Sequence, residues 1–133
     1  MDIRHRNGLA AELFVASVLA EQGYNILFPF VTQSRYDLLT EDPSTNEIRR
    51  VQIKKASWSS NGKYEYLQAR ITGKNKNTST PYNEGQVDDF MFTDMKRIWS
   101  APSSVICGMT SVSVDRDWET KLEEKKDDKE LGS

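Results

Sequence analysis

The chain has 133 residues with 37% hydrophobic, 10% aromatic and 29% charged side chains, a net charge of -2 and a mean hydropathy of -0.67. That composition describes one water-facing globular domain; it excludes a disordered chain, and no apolar run reaches the roughly 20 residues of a membrane span. A single cysteine, Cys107, and a single histidine, His5, exclude an internal disulfide, a Cys/His zinc site and a multi-histidine nuclease site. Any enzyme chemistry then falls to carboxylates and lysines. The polar opening Met1–Asn7 has no apolar leader core, so a reducing, cytoplasmic setting is expected.

The first predicted element is a helix from Gly8 to Gln22, with Asn7 as N-cap and Gly23 as stop. Leu9, Leu13, Ala16 and Ala20 fall on one face at helical spacing. Glu12 is the one acid inside this otherwise apolar or small run, where a surface glutamate near a helix start is also ordinary. Strands are predicted over Asn25–Val31, with Pro29 pointing to an edge position, and over Arg35–Thr40. The turn formers from Glu41 to Glu47 close a hairpin onto a third strand, Ile48–Ala56. There Val51 and Ile53 share one face, and Gln52 and Lys54 the other.

A fourth strand, Tyr64–Ile71, leads into a polar stretch, Thr72–Thr80, read as a binding loop or a disordered link. Short elements come next over Val87–Met95 and Arg97–Ile106, the latter broken at Pro102. Trp58, Tyr82 and Trp99 read as core or rim aromatics before base-stacking platforms. The expected organisation is a domain over residues 1–118 and a charged tail over 119–133.

Charge is unevenly spread. Between Ile48 and Lys76 eight cations (Arg49, Arg50, Lys54, Lys55, Lys63, Arg70, Lys74, Lys76) face one anion, Glu65, while the rest of the chain is acidic. Such a stripe is either a solvated sheet face or a phosphate-facing groove. Asp37 lies inside a predicted strand, where aspartate is depleted. The hairpin can bring it near Gln52 and Lys54. A carboxylate, an amide oxygen and an ammonium together could hold a hard divalent ion beside a phosphate. Other readings remain open: Asp37 as a strand-edge acid paired with Arg35 or Arg49, and Gln52 and Lys54 as a solvated strand face.

The order Glu12 on a helix, Tyr36-Asp37-Leu38, then Val51-Gln52-Ile53-Lys54-Lys55-Ala56 resembles the PD-(D/E)xK nuclease superfamily, the restriction-endonuclease-like fold. Within it the motifs are similar to compact group I intron homing endonucleases and to archaeal-type Holliday-junction resolvases. The stretch from Tyr82 to Val87-Asp88-Asp89-Phe90 resembles the segment after the metal-site strands in the homing branch. The resemblance implies an α+β (α/β/α-like) fold, with the N-terminal helix packed on a central mixed sheet. It implies Asp37 and Gln52 as metal ligands, Glu12 above the site through water or Lys54, and Lys54 orienting the hydrolytic water. The implied cofactor is Mg²⁺, with Mn²⁺ as a substitute, and the substrate double-stranded DNA, contacted by Arg35, Arg49, Arg50, Lys55, Lys63, Arg70, Lys74 and Lys76. One active site per chain implies a homo-oligomer, dimer or tetramer, to cut both strands. The sequence departs from the pattern at Gln52, where the motif usually has an acid, and at Tyr36, where it has proline. A Holliday-junction resolvase and a catalytically silent DNA-binding module of the same fold are the rival readings.

Overall fold

A computed structural model describes residues 2–31, 34–71 and 85–120. The stretch 72–80, with Lys74 and Lys76, lies outside those residues, as do Tyr82 and the tail beyond Thr120. Helix α1 spans Ile3–Glu21. It starts five residues before the expected Gly8 because Asp2, not Asn7, is the cap: Asp2 Oδ1 accepts from the Arg4 N–H at 2.9 Å. Polar Arg4 to Asn7 give no apolar period, so that first turn is invisible to hydrophobic spacing. Gly23 does end the helix, in the left-handed region at φ 102°.

The strands are β1 (Asn25–Leu27), β2 (Leu38–Glu41), β3 (Ile48–Lys55), β4 (Ser57–Ser60), β5 (Glu65–Arg70), β6 (Asp89–Thr93), β7 (Ile98–Pro102) and β8 (Ser111–Ser113). They form a five-stranded sheet in the order β1-β2-β3-β6-β7 and a three-stranded sheet in the order β4-β5-β8. Within the larger sheet β3 and β6 run parallel, and every other neighbouring pair is antiparallel. The sheet is mixed, as expected. β1 is an edge strand, shorter than predicted because Pro29 has no N–H to continue the ladder. The chain breaks at Pro102 between β7 and the short helix α2 (Ser103–Ile106).

Two cores lie on opposite faces of the large sheet. On one, Ala11, Val15, Ala16 and Leu19 of α1 meet Leu38, Val51, Ile53 and Ile98. Complete burial of Val15 is worth on the order of 2 kcal/mol. Leu9, Leu13 and Ala20, expected on the inward face, are instead exposed. The helix is apolar on most sides, so spacing could not single out the face that packs. On the other face Phe90, Phe92, Trp99 and Ala101 pack against Ala56, Leu67, Ala69 and Val112 and against Ile106 of α2. Trp99 is therefore core and Trp58 rim, with Trp58 Nε1 donating to Asp94 Oδ2 at 3.0 Å. Past Trp118 the chain stays on the sheet: Glu119 bridges to Trp99, and the Thr120 N–H donates to Ile98 O at 2.7 Å. Among the described residues no helix is long and apolar enough to cross a membrane.

Candidate active site

The hairpin of β2 and β3 turns through Asp42–Glu47, where Asp42 Oδ1 accepts from the N–H of Ser44 at 3.0 Å and from its hydroxyl at 2.6 Å. This sets the register Leu38↔Val51 to Glu41↔Ile48. β2 begins at Leu38, so Asp37 lies at its mouth and not inside the strand as predicted. The Asp37 N–H donates to Val51 O at 2.8 Å, although Val51 already stands opposite Leu38. Two residues facing one is the count of a β-bulge, which re-aims a side chain. The Asp37 carboxylate turns onto β3, and its Oδ2 accepts the Ile53 N–H at 2.7 Å. It thereby meets β3 at the residue between Gln52 and Lys54.

On β3, Gln52 and Lys54 share the face of their β6 partners Phe90 and Phe92, while Val51 and Ile53 face α1. Gln52 is buried and Lys54 partly so. The Lys54 ammonium is held below its ordinary pKa chiefly by burial, with the Arg35 charge adding to this and the Asp37 charge opposing it. Glu12 comes down from α1. Its pKa is raised to about 8, first by burial, then by a hydrogen bond to Asp37 and by that group's charge. Glu12 and Asp37 open together into a cleft of about 220 Å³ lined also by Phe28, Pro29, Val31, Ser34 and Tyr36. Asp37, Lys54, Glu12 and Arg35 are thus brought together, with Gln52 flanking Ile53.

The cations of the basic stripe have different surroundings. Lys55 and Arg70 line a cleft of about 460 Å³ with Lys54, Arg4, Asn7, Gly8 and Ser57. Arg4 is not legible as a member of this group; it lies far from the stripe in sequence, and only the early start of α1 carries it there. Arg49 and Arg50 are instead engaged within the protein. Arg49 Nε and Nη2 donate to both oxygens of Asp89 at 2.6 and 2.9 Å. Arg50 holds Asp88 and the Gly85 carbonyl. Lys63 is exposed in the β4–β5 turn.

Hard oxygen donors at this place suit Mg²⁺ or Mn²⁺. Asp37 and Glu12, hydrogen-bonded to each other in one cleft, offer such donors, and two carboxylates sharing a cleft need a countercharge. Among the described residues no three His, Cys, Asp or Glu side chains converge. The residues therefore fit a hard divalent ion that takes its remaining ligands from water and phosphate.

An acid at the mouth of one strand, a lysine two residues past a polar donor on the next, and a helix carboxylate beside the acid follow the order expected of a PD-(D/E)xK nuclease. The chain belongs to the PD-(D/E)XK endonuclease family, which it matches over residues 3–120. It is 30% identical over 88 residues to Protein 5.3 of Escherichia phage T7, spanning 66% of this chain and 70% of that protein. Its fold is similar to the solved structure of a bacterial homing endonuclease, I-Ssp6803I, with a TM-score of 0.64 over 90% of this chain and 80% of that one. At 19% identity that likeness is one of fold.

Proposed function

We propose that the chain is a Mg²⁺-dependent homing endonuclease of the cytoplasm that hydrolyses phosphodiester bonds of double-stranded DNA at a defined site. The carrying observation is the Asp37 carboxylate bound to the Ile53 N–H, between Gln52 and Lys54 and below Glu12. In this reading Asp37, Gln52 and Glu12 would hold the ion. A bound divalent ion would supply Lewis-acid polarisation of the phosphate and neutralise its developing charge. Lys54 Nζ orients the attacking water and offsets phosphate charge. The water oxygen bonds to phosphorus as the bond to the 3′ oxygen breaks, leaving a 5′-phosphate and a protonated 3′-hydroxyl.

With Arg49 and Arg50 held by Asp89 and Asp88, Lys55 and Arg70 beside Lys54, and the exposed Lys63, track the backbone, joined by Arg4, whose pairing with Asp2 at 3.7 Å is solvent-exposed. A chain with one such site acts as a dimer or tetramer to cut both strands. The test is to incubate mixed genomic DNA and Mg²⁺ with the protein and with Asp37→Ala, then sequence all new ends. Ends gathered at one or a few sites and lost in the variant are expected. Equal cleavage by Asp37→Ala would sink the assignment of the site. Gln52, which withholds an acid from the metal, favours one rival, a silent DNA-binding module; that rival predicts tight binding at low salt with no cleavage and no response to Mg²⁺.

A further inference from the structure

Two phenylalanines stand in solvent beside the carboxylates. Phe30 is 102% exposed and Phe28 57%, on either side of Pro29, in the segment after β1. Val31 next to them is exposed too. Scattered exposed apolar residues are ordinary, but these are consecutive in the chain and border the carboxylates. Phe28, Pro29 and Val31 line the same cleft as Glu12 and Asp37. On the far side of Lys54 the surroundings are cationic, with Arg4, Lys55 and Arg70. The site thus lies between a wall suited to phosphates and a wall suited to flat apolar rings.

Resting on the nuclease reading above, we infer that Phe28-Pro29-Phe30 is a wedge that enters the base stack next to the phosphate to be cut. When that phosphate sits between Asp37 and Lys54, the backbone leading to it tracks the basic wall. The bases beside it then meet the aromatic wall. Apolar side chains inserted between base steps unstack and kink a duplex, and phenylalanine and proline are residues used for this. Proline fixes its own φ, so Pro29 limits the collapse of the two rings back onto the protein. The occupant is nucleic acid and not a second protein surface, because a chain seated on Phe28 and Val31 would close the cleft into which Glu12 and Asp37 open. The wedge exposes the scissile bond and makes cleavage depend on how easily the local step unstacks.

The experiment uses the whole protein, without divalent ions, on a closed circular plasmid relaxed by a metal-independent topoisomerase. The parent protein is expected to shift the topoisomer ladder toward unwinding as more of it binds. Phe28→Ala/Phe30→Ala should retard the same plasmid within about twofold of the parent and lose the shift. Phe28→Leu/Phe30→Leu, which keeps apolar bulk, should retain part of it. Retardation by the parent with no shift, or an equal shift from the alanine variant, overturns the wedge alone. Loss of self-association in the alanine variant with an unchanged shift would overturn it and assign the patch to a second copy. Failure of the parent to retard DNA at low salt would sink the nuclease reading and the wedge with it.

Discussion

The Asp37 carboxylate takes the place of a strand: its Oδ2 accepts the Ile53 backbone N–H at 2.7 Å, where β2 has ended and no carbonyl remains to do so. One oxygen is therefore committed to the fold, and the same carboxylate also takes the hydrogen bond with Glu12. Its duties to the fold and to the proposed chemistry separate by substitution. Asp37→Asn keeps an oxygen for Ile53 but lowers the charge, so it should melt within a few degrees of the parent and lose cleavage by about 10²-fold or more. Asp37→Ala leaves a buried N–H without its partner and should in addition cost about 1–3 kcal/mol in a denaturant titration. Equal stability of the two variants would mean that the Ile53 bond does not support the hairpin.

In the proposed reading Gln52 is the departure that would set how tightly an ion is held. Gln52→Glu restores the missing negative charge beside Asp37 with almost no change of volume. The expected result is a fall of about tenfold in the Mg²⁺ concentration giving half-maximal cleavage, since an added charge at this range is worth more than 1 kcal/mol. An unchanged Mg²⁺ dependence would remove Gln52 from the set of ligands.

The parts of this site that are legible in the sequence are those fixed by local chain geometry. The Asp42–Glu47 turn and the two-residue period of β3 place Asp37, Gln52 and Lys54 together. What spacing could not show depends on distant segments. β3 pairs in parallel with β6, so Val51 meets Asp89, and the acids at 88 and 89 capture Arg49 and Arg50 from almost 40 residues away. A count of cations along the stripe has no access to that pairing. Strands β4 and β8, rich in serine, carry too little apolar alternation to be read at all. The bulge at Asp37 is likewise a product of pairing and not of composition.

Glu12 makes stability of the metal-free protein depend on pH. Its folded pKa of about 8 lies above the ordinary value of 4.5. Its favourable contribution is then full below about pH 4.5, and it is lost as pH rises through 8 and the buried group is forced to ionise beside Asp37. Glu12→Gln cannot ionise, so it should melt with the parent at pH 4.5 and several degrees above it at pH 8.5. After screening of a half-exposed group the difference is on the order of 1–2 kcal/mol. Saturating Mg²⁺ should narrow the gap by supplying the missing countercharge. A parent melting curve that does not change between pH 5 and 8.5 would contradict the carboxyl pair.

The division among the cations predicts opposite behaviour from two sets of variants. Lys55→Ala/Arg70→Ala removes two side chains of the basic cleft that have no acid among its lining residues. If both contact phosphates, the slope of log affinity against log salt on duplex DNA should fall by about 1.8, with little change in melting temperature. Arg50→Ala should leave that slope alone and weaken the fold, because its guanidinium holds Asp88 and the Gly85 carbonyl. The Asp88 carboxyl is kept below its ordinary range first by the side-chain hydrogen bond from Arg50. Its contribution to stability is therefore present above the ordinary aspartate pKa and is lost as pH falls through the depressed folded value. In Arg50→Ala part of that acid-side loss should be absent, so the melting temperatures of variant and parent should converge as pH drops from about 5 toward 2. A salt slope reduced equally by Arg50→Ala would show instead that the arginine leaves Asp88 for phosphate when DNA binds.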